Sequence, residues 1–170
     1  MLETLILILR LFDPAGVEFA PVIAAQSAKY DVDPLIVVAV MWKESRFNKE
    51  ACYRGSHGLM QIQLRGRSCE KTVVQARSLK LYDPEENIRR GVEAMRSWRN
   101  WCRSQKHDHH WLYHYNQGYG SCPEDKPKCR AQERRVFTGG RARGYVESIL
   151  GIFNRLKRIQ RKVQVEKLNG

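Results

Sequence analysis

The side chain best placed to do chemistry is Glu44. It closes an apolar run, Leu35-Ile36-Val37-Val38-Ala39-Val40-Met41-Trp42, and lies near the C-terminal end of the helix which that run predicts. Apolar neighbours disfavour an ionised carboxyl. The partial negative charge at a helix C-terminus disfavours it as well. Both effects raise the pKa, so Glu44 reads as a carboxyl that keeps its proton near neutral pH and can donate it as a general acid. The bland alternative is a surface glutamate paired with Lys43 or Arg46. No second carboxylate, to activate water or attack as a nucleophile, is evident beside it. Glu50, Glu70 and Asp83 qualify only if the fold brings them close.

Two further groupings invite a chemical reading. His107, His109, His110 and His114 cluster, with the last two four residues apart on a predicted helix. The glutamate of a zinc-protease motif is missing, so these histidines read as a polar helix start, with no metal and no cofactor implied. The five cysteines, Cys52, Cys69, Cys102, Cys122 and Cys129, form no CxxC pair. They hint at an oxidising compartment with one thiol left over, although free buried thiols fit equally. The sequence does not choose a pairing.

The elements that must position these groups have clear starts. Asp33-Pro34 supplies an N-cap and a first-turn proline, favouring a helix buried all round over a buried strand. Asp83-Pro84 repeats the device, with Glu86 as the far member of a capping box. Ile88, Val92, Met95, Trp98 and Cys102 then mark one face of a long helix. A further helix is predicted from about His109 to Tyr115, ending at Gly118, and a last one from about Ala142 to Val165. That last helix has Tyr145, Ile149, Phe153, Leu156, Ile159 and Val163 on one side and Arg155, Lys157, Arg158, Arg161 and Lys162 on the other. Residues 119–141 read as loop, and Gly58–Leu64 is the only strand candidate. At the N-terminus, Leu2, Leu5, Leu9 and Phe12 fit one face of a short packed helix. Glu3, Arg10 and the lack of a small-residue cleavage site make this segment a poor signal peptide, although export by another route is open.

The chain of 170 residues carries 30 basic and 18 acidic side chains, a net charge of +12. The excess is uneven, about +2 over residues 1–83 and about +10 over residues 84–170. Such a surface suits a polyanionic neighbourhood: nucleic acid, acidic lipid or bacterial wall. Arg130, Arg134, Arg135, Arg141 and Arg143 could extend the basic last helix into one patch. No nucleic-acid fingerprint accompanies it, and aromatic residues do not interleave as stacking platforms. No run of about twenty apolar residues occurs, so no transmembrane helix is expected.

Three segments in order carry a family likeness: Trp42-Lys43-Glu44-Ser45-Arg46-Phe47-Asn48, then Gly58-Leu59-Met60-Gln61-Ile62, then Tyr115-Asn116-Gln117-Gly118. Together they resemble the lytic transglycosylase domain of the soluble type, which is related to goose-type lysozyme. Asp83-Pro84 with Asn87-Ile88 and Gly91, and Gly144-Tyr145-Val146-Glu147, resemble two further segments of that family. The likeness spans roughly residues 20–160. It implies a mostly α, lysozyme-like single domain with a substrate cleft and at most a small β element. Residues 1–20 would be an N-terminal helical extension and residues 21–165 the transglycosylase domain.

The resemblance also implies roles. Glu44 would be the catalytic acid and then the base, cleaving the β-1,4 bond between N-acetylmuramic acid and N-acetylglucosamine in peptidoglycan. The C6 hydroxyl of the same muramoyl residue would close a 1,6-anhydro ring, with no cofactor and no water consumed. Ser45 would tie the local backbone or meet substrate, and Gly58 would let the chain approach the sugar. Met60 and Gln61 would line the cleft, with Gln61 bonding an acetamido group. Tyr115 would place its hydroxyl near Glu44 or the sugar, supported by Asn116, and Tyr145 would do the same from the opposite wall. Site of action would be outside the cytoplasmic membrane, in the periplasm or wall or as part of a phage or secretion machine. The basic half could hold anionic wall polymers. Hydrolysis of the same bond, as by goose-type lysozyme, and a basic anion- or nucleic-acid-binding module are the competing readings.

The sequence departs from the family pattern in three places. Around residues 52–57, Cys52-Tyr53 stands where serine is common, and Ser56-His57 where small residues and alanine are usual. After Ile62, Gln63-Leu64-Arg65-Gly66 replaces a proline–threonine turn, and His114 replaces an alanine.

Overall fold

The computed structural model describes residues 1–102, 111, 112, 115 and 141–169. Its elements are α1 (Leu2–Phe12), a 3-10 turn (Pro14–Phe19), α2 (Ala20–Tyr30), α3 (Pro34–Ser45), β1 (Cys52–Tyr53), β2 (Ser56–His57), β3 (Ile62–Gln63), α4 (Cys69–Ser78), α5 (Pro84–Cys102) and α6 (Arg141–Asn169). Trp111, Leu112 and Tyr115 are also helical. Asn116, the histidines between 107 and 114, Cys122, Cys129 and Arg130, Arg134 and Arg135 lie outside the described residues. So do residues 119–140 of the loop predicted over 119–141, whose last residue, Arg141, is helical, and most of the helix predicted from His109. The side chains of Cys102, Arg141 and Arg143 are likewise outside them.

The centre of the fold is α3. Every residue from Leu35 to Met41 is buried, as an all-round apolar helix requires. Asp33 caps it, its Oδ1 accepting the Leu35 amide at 2.9 Å, while its Oδ2 meets Lys157 of α6 at 2.9 Å. Helix α6 packs along α3 and α1, and α2 packs on α5. Ile149, Leu156 and Val163, with Tyr145 and Val146, are the buried hydrophobic residues of α6 among those described. Ile149, Leu156 and Val163 each contribute about 1.5–3 kcal/mol by burial. The half-exposed Lys157–Asp33 pair contributes about 1 kcal/mol or less, so apolar packing and not charge holds this helix.

Four local expectations need correction. Leu2 is 39% exposed, and the buried face of α1 is Leu5, Ile8 and Leu9, because the helix turns Ile8 rather than Leu2 onto α6. At the start of α5, Asp83 accepts the Glu86 amide at 2.9 Å. The reciprocal half of the capping box is not made, because the Glu86 carboxylate binds Arg89 and Arg90. The strand expected over Gly58–Leu64 survives only at Ile62–Gln63. Gly58 (φ +76°) and Gln61 (φ +48°) are left-handed and turn the chain instead. Finally, the sheet has three short antiparallel strands in the order β1-β2-β3, with Cys52 opposite His57 and Ser56 opposite Gln63.

Candidate active site

Glu44 stands in the last turn of α3, which ends where Arg46 and Phe47 take left-handed backbone. Its carboxyl is half-buried on the wall of a cleft of about 760 Å³. Tyr115 lines the cleft beside it, and the opposite wall is built from residues 53–54, 56, 61 and 63–67. Among the described residues, Glu44 is the only carboxylate on the cleft wall. Glu50, Glu70 and Asp83 do not line it.

The Tyr145 hydroxyl donates a short hydrogen bond to Glu44 Oε1. It comes from α6, and so from a part of the chain remote in sequence. Burial is the main effect on Glu44 and raises its pKa, while the Tyr145 bond and the Lys43 charge oppose it in part. Burial, with the Glu44 charge alongside, holds both Tyr145 and Tyr115 well above the ordinary phenol range, so both stay protonated donors. The Tyr115 hydroxyl is spent on the Met60 carbonyl at 3.0 Å. Tyr145 and Tyr115 therefore reach Glu44 from two separate elements, one by a direct bond and one by adjacency.

Of the remaining expected site residues that are described, only Gln61 is on the cleft wall. Ser45 donates to the Met41 carbonyl at 3.1 Å, a bond within α3, and is not on the cleft wall. Met60 is fully buried and packs on Gly91 of α5, where a methyl group would sit 2.3 Å from its sulfur. Its side chain is core, and only its carbonyl serves the site. Gly58 is buried too. A Cβ there would meet Asn87 and the Leu81 carbonyl at 2.2 Å, so the glycine serves a close approach to protein rather than to sugar. Gln61 does line the cleft. Its amide nitrogen is committed to the Gly58 and Ala51 carbonyls at 2.9 and 3.1 Å, which leaves its oxygen as the atom with no donor among the described residues.

The sequence reading assigned no role to Asn87. Its side chain is buried, accepts the Met60 amide at 2.8 Å, and donates to the carbonyls of His57 and Leu81 at 2.9 and 2.7 Å. It ties the Gly58–Met60 turn to α5, and through Met60 it sets the acceptor for Tyr115. The available signal was an amide on the apolar face of α5, one turn before Gly91.

His57 braces the same wall. Thr72 donates to the Ser68 carbonyl at 2.6 Å, so it accepts from His57 Nε2 at 2.7 Å, and Tyr82 then donates to Nδ1 at 2.7 Å. That arrangement suits a neutral ring, and burial lowers the His57 pKa in agreement. Cys52 and Cys69 form a disulfide that closes the segment bearing the wall.

The profile of the transglycosylase SLT domain matches residues 21–137. The chain belongs to that family. Its members are glycan-cleaving enzymes of the cell wall, and the mostly α fold with its small sheet is the lysozyme-like architecture of the SLT domain. The match takes in α2 to α5, Glu44, the wall and Tyr115, and stops before Tyr145. No curated protein matched the chain. No helix of this SLT domain, among the described residues, is long and apolar enough to cross a membrane.

Proposed function

We propose that the chain is a peptidoglycan lytic transglycosylase that cleaves between N-acetylmuramic acid and N-acetylglucosamine. The observation that carries this reading is a half-buried carboxyl, the only one on the cleft wall among the described residues, with a raised pKa and a phenol donating to it. Glu44 protonates the oxygen of the leaving sugar as the glycosidic bond breaks. The 2-acetamido oxygen of the muramoyl residue attacks its own anomeric carbon and carries the positive charge. Glu44, now a carboxylate, takes the proton of the C6 hydroxyl, and O6 displaces the acetamido oxygen. The products are a 1,6-anhydromuramoyl end and a free 4-hydroxyl, with no water consumed. One carboxylate suffices for this sequence, whereas most glycoside hydrolases use two. The free oxygen of Gln61 suits an acetamido N–H. The disulfide supports action in an oxidising compartment outside the cytoplasmic membrane, in the periplasm or wall or within a phage or secretion machine.

The test is product analysis on purified peptidoglycan. Anhydro ends are expected, and a majority of reducing muramic acid ends would instead mean hydrolysis. Glu44→Gln should lower turnover by about 100-fold or more, the scale of a lost general acid. Full activity in that variant would show that another group is the acid.

A further inference from the structure

The wall opposite Glu44 carries three arginines, Arg54, Arg65 and Arg67. All three are exposed, and none is paired with a carboxylate among the described residues. Their backbone segments are held against one another. Arg54 sits in the β1–β2 turn and Arg65 and Arg67 in the β3–α4 loop, and the two segments are packed backbone to backbone. The Leu64 amide donates to the Gly55 carbonyl at 2.9 Å. A Cβ on Gly55 would lie 3.2 Å from the Arg67 nitrogen. Gln63 donates to the carbonyls of Arg54 and Leu64 at 3.2 and 2.7 Å and accepts from Ser56 at 2.7 Å. The Cys52–Cys69 disulfide closes the whole unit. Arg54 and Arg67 both hold left-handed backbone, φ +50° and +45°. That conformation is unfavourable for a non-glycine residue, and the braced scaffold supports it.

Among the described residues the only carboxyl on the cleft wall, Glu44, is driven towards its neutral form. The described part of the cleft wall therefore carries positive charge with no carboxylate partner among the described residues. A bare glycan strand offers guanidinium groups only the lactyl carboxylate of each muramoyl residue, which becomes a neutral amide where a peptide stem is attached and leaves the stem's own carboxylates as the anions. We propose that Arg54, Arg65 and Arg67 bind carboxylates of the peptide stem carried by the muramoyl residue, so that the preferred substrate is a stem-bearing glycan strand. The inference rests on the glycan-strand reading of the site. Wall phosphate polymers are the weaker ligand on chemical grounds: they are joined to muramoyl C6, whose hydroxyl must be free for the anhydro ring to close. Planar guanidinium groups pair with carboxylates in two-pronged fashion, which point charges cannot reproduce. The charged surface that matters for substrate thus lies in the half of the chain whose net charge is about +2, not in the strongly basic half.

The test measures binding, in the full chain carrying Glu44→Gln so that nothing is turned over. Defined glycan oligomers with intact peptide stems are compared with the same oligomers stripped of stems by an amidase and then capped as the simple amide at the lactyl carboxyl that the amidase frees. Stem-bearing oligomers should bind about tenfold tighter at low salt, the scale of two or three partly screened charge pairs. Adding Arg65→Gln and Arg67→Gln should bring that ratio close to one, while Arg65→Lys and Arg67→Lys should keep an intermediate ratio. Because the quantity is a ratio within one variant, a general loss of folding would not mimic the result. A ratio of one in the parent, or a ratio untouched by the glutamine pair, would overturn the proposal. So would a preference that follows wall phosphate rather than peptide in a third set of oligomers. Product analysis of the wild-type chain runs in parallel. Anhydro products with a binding ratio of one would sink this inference alone, and a tenfold ratio with no cleavage would sink the proposed reaction alone.

Discussion

Burial favours the neutral form of Glu44, whereas the hydrogen bond from Tyr145 favours the carboxylate. The two effects oppose each other in the ground state but act in turn along the proposed reaction. Burial keeps the proton available to the leaving oxygen. Once the proton has gone, the Tyr145 donor faces a full negative charge, and its bond strengthens as that charge develops. Tyr145→Phe should therefore lower kcat by about 10- to 100-fold, the equivalent of one hydrogen bond to a charged group. The same variant loses a contribution that lowers the Glu44 pKa, so the alkaline limb of its pH–rate profile should move to higher pH. An unchanged limb together with unchanged kcat would remove Tyr145 from the site. Linkage gives a second reading of the same carboxyl. Because its pKa is raised on folding, its contribution to stability is complete below the ordinary carboxylate range and is lost as pH rises through the raised value. Glu44→Gln should melt above the wild type at neutral pH, and the gap should close in acid. Identical melting curves at every pH would show that the carboxyl is not desolvated.

The departures from the family pattern at residues 52–57 and 63–66 belong to one structural unit, the small sheet with the loop that follows it. Cys52 pairs with Cys69, His57 fills the space under the wall and bonds Thr72 and Tyr82, and Gln63 staples the arginine-bearing loops. Read singly along the chain they look like unrelated substitutions, because their partners lie up to twenty-five residues apart. That explains what was legible. Helices α3 and α5 were readable because Asp33-Pro34 and Asp83-Pro84 are local signals. Helix α4 was not, since only Thr72 and Ala76 of its ten residues are buried and they set no apolar period. Helix α2 buries Ala20, Ile23, Ala24 and Ser27, a face too small to stand out. The two-residue strands are defined by Asn87 and the disulfide rather than by any pattern of their own. The bridge spans a separation of 17 residues, and loop closure of that size contributes about 3 kcal/mol. Cys52→Ser with Cys69→Ser should lower the unfolding free energy by roughly that amount. It should also raise KM more than it lowers kcat, because the wall loosens while Glu44 and Tyr145 stay on other elements. A denaturation midpoint equal to that of the wild type would show that the remaining bonds fix the wall unaided.

At the scale of the molecule, the site exists only because distant segments share one core. Glu44 and Tyr145 are separated by 101 residues, and their bond depends on α6 lying against α3. Helix α1 is the other surface that α6 packs on, although it precedes the residues matched by the family profile. Its Leu5, Ile8 and Leu9 belong to the same buried cluster as α3 and α6. The chain leaves α1 through Asp13, which accepts the Trp42 indole N–H at 3.0 Å and so ties this entry segment to the helix bearing Glu44. Gly16 follows, and a methyl group there would lie 2.8 Å from both Leu9 and Phe47, so the 3-10 turn is already seated against its neighbours. A cavity opened at Leu9 cannot be closed by a shift of that turn. Leu9→Ala should therefore fall in the usual range for a buried leucine that relaxes poorly, about 2–5 kcal/mol of unfolding free energy. The urea midpoint should drop with the slope unchanged, since the folded core is weakened without altering the surface exposed on unfolding. A loss below about 0.5 kcal/mol would instead be the behaviour of a surface position. It would mean that α1 is an appended helix and that α3 alone positions Tyr145 over the acid.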